Sequence, residues 1–287
     1  MSDPASDLLS LLDVKRLDDN LYRGAGTGGE TTVRVFGGLV IAQALAAAYR
    51  TVDERPCHSL HAYFMRPGKP DKMLDYVVDR MRDGRSFTTR HVTAQQDGED
   101  IFTLIASFHV VEEGYTHQHP MPDVPGPDGI MTREELRAAN AHRVDEKRRS
   151  DYLRPRAIQI REVEPQDHFE PEPMSDVNHL WFRLPAAEGQ DPAMQQCLMA
   201  YASDMNLLGS CLRPHGLTWF KRKVMTASLD HAMWFHAPVQ FDQWHLFSMD
   251  SPQSGGGRGF NRGRIYSQDG RLVANVAQEG LMRPLTR

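Results

Sequence analysis

The stretch Arg85-Ser86-Phe87-Thr88-Thr89-Arg90 opens an alternating run that reaches Gln96, turns at Asp97-Gly98 and returns as a second apolar run to Val110. Alternation with period two around an Asp-Gly pair predicts a β-hairpin. The pattern occurs again: Arg258-Gly259-Phe260-Asn261-Arg262-Gly263, an alternating run, Asp269-Gly270, and an apolar run to Met282. Upstream of each copy stands a related segment, His61-Ala62-Tyr63-Phe64 in one and His231-Ala232-Met233-Trp234-Phe235 in the other. A spacing of roughly 170 residues is too long for a solenoid unit and suits a whole small domain, fused to a second copy. The two halves should pack as pseudo-symmetric partners.

Working outward, the first half predicts a short amphipathic helix on Leu8, Leu9, Leu11 and Leu12 with Ser6 as N-cap, and a strand over 20–26. An alanine- and leucine-rich helix over 39–50 follows the Gly37-Gly38 pair, then strands over 58–65, 73–82, 87–96 and 101–110. Thr132-Arg133-Glu134-Glu135 is a capping box opening a charged, solvated linker helix through about Arg149. The second half repeats the order, with strands over 157–163 and 178–184, a long helix over 192–212, and strands over 223–235, 244–250, 260–267 and 272–282. The division is 1–115, a linker 116–154, and 155–287. One helix wrapped by an antiparallel sheet, occurring twice, is an α+β tandem hot-dog. Ser254 to Gly259 joins strands and lacks the lysine-serine ending of a phosphate loop, so a flexible loop is expected.

The chain has 287 residues and a formal charge of −5 with acids and bases interspersed, which excludes a nucleic-acid stripe or a polybasic membrane patch. Three cysteines, Cys57, Cys197 and Cys211, show no metal-ligand spacing and fit a reducing, cytoplasmic setting. No metal and no cofactor is expected. Met1 to Ser10 lacks the features of a secretory signal, no apolar run is long enough for membrane insertion, and Pro284-Leu285-Thr286-Arg287 is not a peroxisomal address.

Within the second long helix Cys197, Tyr201, Leu208 and Cys211 form one stripe, with Asp204 in its middle. Gln43 takes the matching place in the first helix. An Asp on an apolar stripe is either a structural cap or a reacting group, and the residues alone allow both. His58, His61, His231 and His236 invite a Ser-His-Asp reading, but no Gly-X-Ser-X-Gly elbow accompanies them.

Six segments in series, Val35 to Leu45, His58 to Phe64, Arg82 to Phe87, Tyr201 to Asp204, Asp230 to His236 and Gln278 to Gly280, together resemble the acyl-CoA thioesterase II family. The resemblance runs from about Leu8 to Pro284. It implies a double hot-dog without metal that hydrolyses fatty acyl-CoA, and a catalytic set falling on Asp204, Ser228 and Gln278. Many members carry Thr where this chain has Ser228, which keeps the hydroxyl. The expected partner is acyl-CoA of medium to long chain, and a homo-oligomer, dimer or tetramer, is implied. Burial should raise the Asp204 pKa while donors from Ser228 and Gln278 should lower it. Met205, Leu207, Trp234 and Phe235 are candidates for an acyl tunnel, and Arg258 or Arg262 for a coenzyme A phosphate contact. Two rivals stand beside this reading: an enoyl-thioester hydratase or dehydratase, which needs a histidine-aspartate pair, and a non-catalytic acyl-CoA carrier.

Overall fold

The computed structural model describes residues 3–26, 34–221 and 223–285; Met1, Ser2, Thr286 and Arg287, which entered the readings of the two chain ends, lie outside them. A short helix α1 (Pro4–Leu12) and the strands β1 (Lys15–Asp18) and β2 (Leu21–Ala25) precede the central helix α2 (Gly37–Tyr49). Strands β3 (Cys57–Phe64), β4 (Met73–Asp83), β5 (Phe87–Gln96) and β6 (Glu99–His109) complete the first half. The linker helices α3 (Arg133–Asn140) and α4 (Glu146–Tyr152) lead to β7 (Gln159–Glu162), β8 (Asn178–Arg183) and the second central helix α5 (Pro192–Ser203). Strands β9 (Val224–Ser228), β10 (Asp230–Phe235), β11 (His245–Gly255), β12 (Arg258–Ser267) and β13 (Leu272–Pro284) follow.

All these strands join one antiparallel sheet in the order β1-β2-β4-β5-β6-β3-β10-β13-β12-β11-β8-β7, with β9 beside the far end of β13. Counted outward from the middle, the halves are the same: 3-6-5-4-2-1 on one side and 10-13-12-11-8-7 on the other. The joint between them confirms the repeat. His61 pairs with Ala232 and Ala62 with His231, which is the reciprocal register two copies related by a two-fold axis must adopt.

The central helices lie antiparallel against the sheet. Every α2 residue from Gly38 to Ala48 is buried, the property of a helix apolar on all sides. Gly38 permits the closest approach, since a Cβ there would stand 2.3 Å from the Tyr201 carbonyl oxygen. Phe36 meets Tyr201 edge-on, with centroids 5.1 Å apart. At the opposite end of the helix pair, Tyr49 hydroxyl bonds to Gln196 of α5, whose amide also accepts from Cys57 N and donates to Cys57 O.

Five expectations are corrected. Asp3, not Ser6, caps α1, accepting from Ala5 N and Ser6 N. The linker helix carries its predicted capping box but breaks after Asn140, where Val144 turns into the interior and Asp145 caps a new helix. The second long helix stops at Ser203, because Asn206 adopts a left-handed φ of 68° and the chain continues in 3₁₀ turns; Asp and Asn favour such exits. The strand over 223–235 is two strands, broken at Leu229. The Ser254–Gly259 segment is not a loose loop: β11 and β12 pair out to Gly255 and Arg258, closed by Gly256-Gly257 at φ 57° and 77°.

Gln43 and Asp204 are therefore not equivalent. Gln43 lies mid-helix, its Nε2 donating to Leu11 O (2.6 Å) and Ala25 O (3.2 Å) while Tyr76 hydroxyl donates to its Oε1 (2.6 Å). Its counterpart in role is Gln195, which donates to Ala187 O and accepts from Phe241 N. Gln43→Ala would strand three polar partners, two half-buried carbonyls and the buried Tyr76 hydroxyl, at ~2–3 kcal/mol. We expect its Tm, read by calorimetry, to fall by roughly 4–8 °C.

Candidate active site

Asp204 is the C-cap of α5, placed there by the same chain exit that ends the helix. Its Oδ2 accepts from Gly38 N (2.9 Å), in the uncapped first turn of α2, and its Oδ1 accepts from Gln278 Nε2 (2.6 Å). Gly37 leaves room for the carboxylate, since a Cβ there would lie 2.7 Å from Oδ2. The Asp204 carboxylate is thus contacted from both halves. Two of the three predicted residues touch. Burial raises the Asp204 pKa above the ordinary carboxylate value, and the bonds from Gln278 and Gly38 only partly oppose it.

Ser228 ends β9, opposite Gly280 of β13. At the break, Leu229 N donates to Glu279 O and Leu229 O accepts from Phe64 N, and the register along β13 shifts by one residue between β10 and β9. Ser228 and Asp204 line the same cavity of about 1020 Å³. Among the described residues no hydrogen bond joins the Ser228 hydroxyl to Asp204 or Gln278; the predicted set is assembled as a contacting pair with the hydroxyl across the same space.

Behind this pair stands His231, fully buried. Its Nδ1 lies 3.2 Å from Gln278 Nε2, and its Nε2 lies 3.0 Å from Ser203 Oγ, which donates to Ala200 O. Burial drops its pKa to about 3, so it is a neutral imidazole and no acid or base near pH 7. Among the described residues no hydrogen bond joins His231 to Asp204. His58, His61 and His236 engage Ser107, Trp234 and Asn275 instead.

The linker contributes to the site, contrary to its reading as a solvated face. Arg133 pairs with Glu162 of β7 (2.6 Å) and donates to Asn206 Oδ1 (2.9 Å), two residues after Asp204. Glu162 is held below its usual range: burial alone would raise it, but Arg133 and its other cationic neighbours outweigh that. Arg34, Arg133, Arg137, Arg143, Arg148 and Arg156 all line the cavity, against four carboxylates. Arg258 and Arg262 are not among the lining residues, and each pairs with a carboxylate, Glu279 and Asp250. Of the tunnel candidates only Met205 lines the cavity; Leu207 and Phe235 are core, and Trp234 lies edge-on to His61.

Comparison with known proteins identifies the family. The family described as acyl-CoA thioesterase matches residues 151–281, and the acyl-CoA thioesterase N-terminal domain matches 28–109. Acyl-CoA thioesterase 2 of Haemophilus influenzae is 35% identical over 99% of both chains. Acyl-coenzyme A thioesterase 8 of Mus musculus is 40% identical over 96% of this chain and 88% of its own. The crystal structure of acyl-CoA thioesterase II TesB2 from Mycobacterium marinum superposes with a TM-score of 0.78 at 36% identity, covering 98% of each chain. The chain belongs to the acyl-CoA thioesterase family, with its tandem hot-dog fold, and is a thioester hydrolase.

The helix stripe singled out Asp204, and the resemblance set Ser228 and Gln278 beside it. Neither named Gly38 as a donor, though the Gly37-Gly38 doublet opening a helix was the available cue. With ¹³C-labelled aspartate, the Asp204 carboxyl should titrate above the ordinary aspartate range. Gln278→Ala, which deletes a donor to the ionised form, should move that midpoint higher still.

Proposed function

We propose that the chain hydrolyses fatty acyl-CoA of medium to long acyl chain, using a water held between Asp204, Ser228 and Gln278. The observation that carries this is the 2.6 Å bond between Gln278 Nε2 and Asp204 Oδ1, which seats a carboxylate of raised pKa on the wall of a large cavity. Such a carboxylate is better matched to general-base work near neutrality than an ordinary aspartate.

Asp204 takes a proton from the water as its oxygen bonds to the thioester carbon. The carbonyl oxygen becomes an oxyanion, and the Gly37 amide, at the positive end of α2, suits it. The tetrahedral adduct then releases its C–S bond, and the thiolate recovers the proton from Asp204. The products are the free acid and coenzyme A. The apolar lining, including Phe36, Met205, Leu208, Trp219 and Phe220, would take the acyl chain, and the arginine-rich linker side the phosphates.

We read the chain as organised into 1–115, a linker 116–154 and 155–287, acting as a homo-oligomer. Exposed Tyr63 and Ile105 on the outer sheet face favour association. The cysteines are all free and buried, consistent with the cytoplasm.

Asp204→Asn should keep the fold and lose kcat by ~10²–10⁴-fold; a loss below about tenfold would overturn the assignment. In a free-thiol assay on palmitoyl-CoA, Ser228→Ala should lower kcat more than it raises KM, and Ser228→Thr should stay near the parent. Arg148→Ala should raise KM for acyl-CoA while leaving KM for the matching acyl-pantetheine, which lacks the nucleotide, unchanged.

A further inference from the structure

We propose that His231 is a positioning residue: its Nδ1 accepts one N–H of the Gln278 amide and so fixes which end of that amide faces Asp204. The inference rests on the water-orienting role of Gln278 given above.

The chain of bonds leaves one consistent assignment. Ser203 Oγ gives its hydrogen to Ala200 O (2.8 Å), so at its 3.0 Å contact with His231 it accepts, and His231 carries its proton on Nε2. Nδ1 is then a bare lone pair, 3.2 Å from Gln278 Nε2. Both hydrogens of the amide are used, one on Asp204 and one on His231. Gln278 Oε1 is left buried with no hydrogen-bond partner in the protein, the state of an acceptor waiting for a hydrogen.

An ionised Asp204 would by itself draw the N–H₂ end of Gln278. Once Asp204 has taken the water's proton it becomes a donor, and the amide gains by turning its Oε1 toward the new O–H. That turn would trap the proton between two side chains when it is needed on the leaving thiolate. The Nδ1 lone pair opposes it, because a turned amide would set Oε1 against the imidazole nitrogen. The effect of His231 therefore belongs to the half of the cycle in which Asp204 is protonated, and it falls on kcat rather than on substrate binding.

Asn and Gln at position 231 separate the two imidazole nitrogens, because Asn Oδ1 falls near Nδ1 whereas a Gln amide reaches toward Nε2. With palmitoyl-CoA and the purified full chain, His231→Gln should lower kcat about tenfold, the worth of one buried hydrogen bond, with KM within about twofold. His231→Asn should recover most of that loss. In a Gln278→Ala background, His231→Gln should change kcat by less than about twofold, since the residue through which it acts is gone. The ¹⁵N shifts of His231 should show the neutral Nε2–H tautomer.

Equal losses in the Asn and Gln variants, multiplicative losses with Gln278→Ala, or an Nδ1–H tautomer would each overturn the inference. A tenfold loss in Gln278→Ala with none in His231→Gln would overturn it while leaving the role of Gln278 intact. Parent-like kcat in Gln278→Ala would remove both. Should the position 231 variants fail to fold, Ser203→Ala carries the test: it frees the imidazole, and kcat should drop several-fold only where Gln278 is present, parent-like kcat overturning the proposal.

Discussion

The structure turns on the approach of two helix ends. The first turn of α2 and the last turn of α5 meet at Gly37 and Gly38, and any side chain at either position would collide with the Tyr201 carbonyl or the Asp204 carboxylate. A carboxylate at the C-terminus of its own helix is disfavoured by that helix's dipole, typically by ~0.3–1 kcal/mol. Here it faces the N-terminus of the other helix, whose amides lack a side-chain cap. The opposed dipoles make the carboxylate tenable without neutralising it. A cationic partner would have lowered the Asp204 pKa; two neutral donors leave it raised.

The sheet supplies the rest of the geometry through one irregularity. Strands β10 and β9 both run along β13, one on each side of Gln278, with Ala232 opposite Ala277 and Ser228 opposite Gly280. Between them the register along β13 shifts by one residue at Leu229, with Glu279 N turned onto Asp230 Oδ1 (2.7 Å), and β9 brings Ser228 to the cavity wall. From outside, Arg133 reaches across from the linker to the Asn206 side of the same turn. Its pairing with Glu162 ties three chain segments, remote in sequence, to the residue after which the helix cannot continue.

Much of this was legible in the sequence because it is local. The β5–β6 hairpin and the alternating strands follow from period two and from Asp97-Gly98, both at positive φ. The repeat predicted a symmetric joint, and the β3–β10 register has that symmetry. What failed was what depends on tertiary contact. The stripe through Asp204 assumed an uninterrupted helix, and a left-handed Asn206 is invisible to periodicity. Gln43 looked like the twin of Asp204 because both break an apolar face, yet its partners come from α1, β2 and Tyr76, far away in the chain. The absence of a nucleophile elbow argued against a catalytic His231, and its bearing on Gln278 is visible only in three dimensions.

The two-fold arrangement generates two junctions between the central helices, and they are dressed differently. At one, α2 begins on an amide, Gly38 N, that donates to Asp204 of the facing helix end. At the other, α5 begins on Pro192, which has no amide hydrogen, with Asp191 already bonded to Met194 N, and the Tyr49–Gln196–Cys57 bonds fill the space. A symmetric pair of separate chains would have to present both junctions alike, since one sequence would serve each. Joining the copies covalently lifts that obligation: the duplicated scaffold keeps its shared sheet while its two helix junctions are free to differ, one filled by side chains and the other meeting the Asp204 carboxylate.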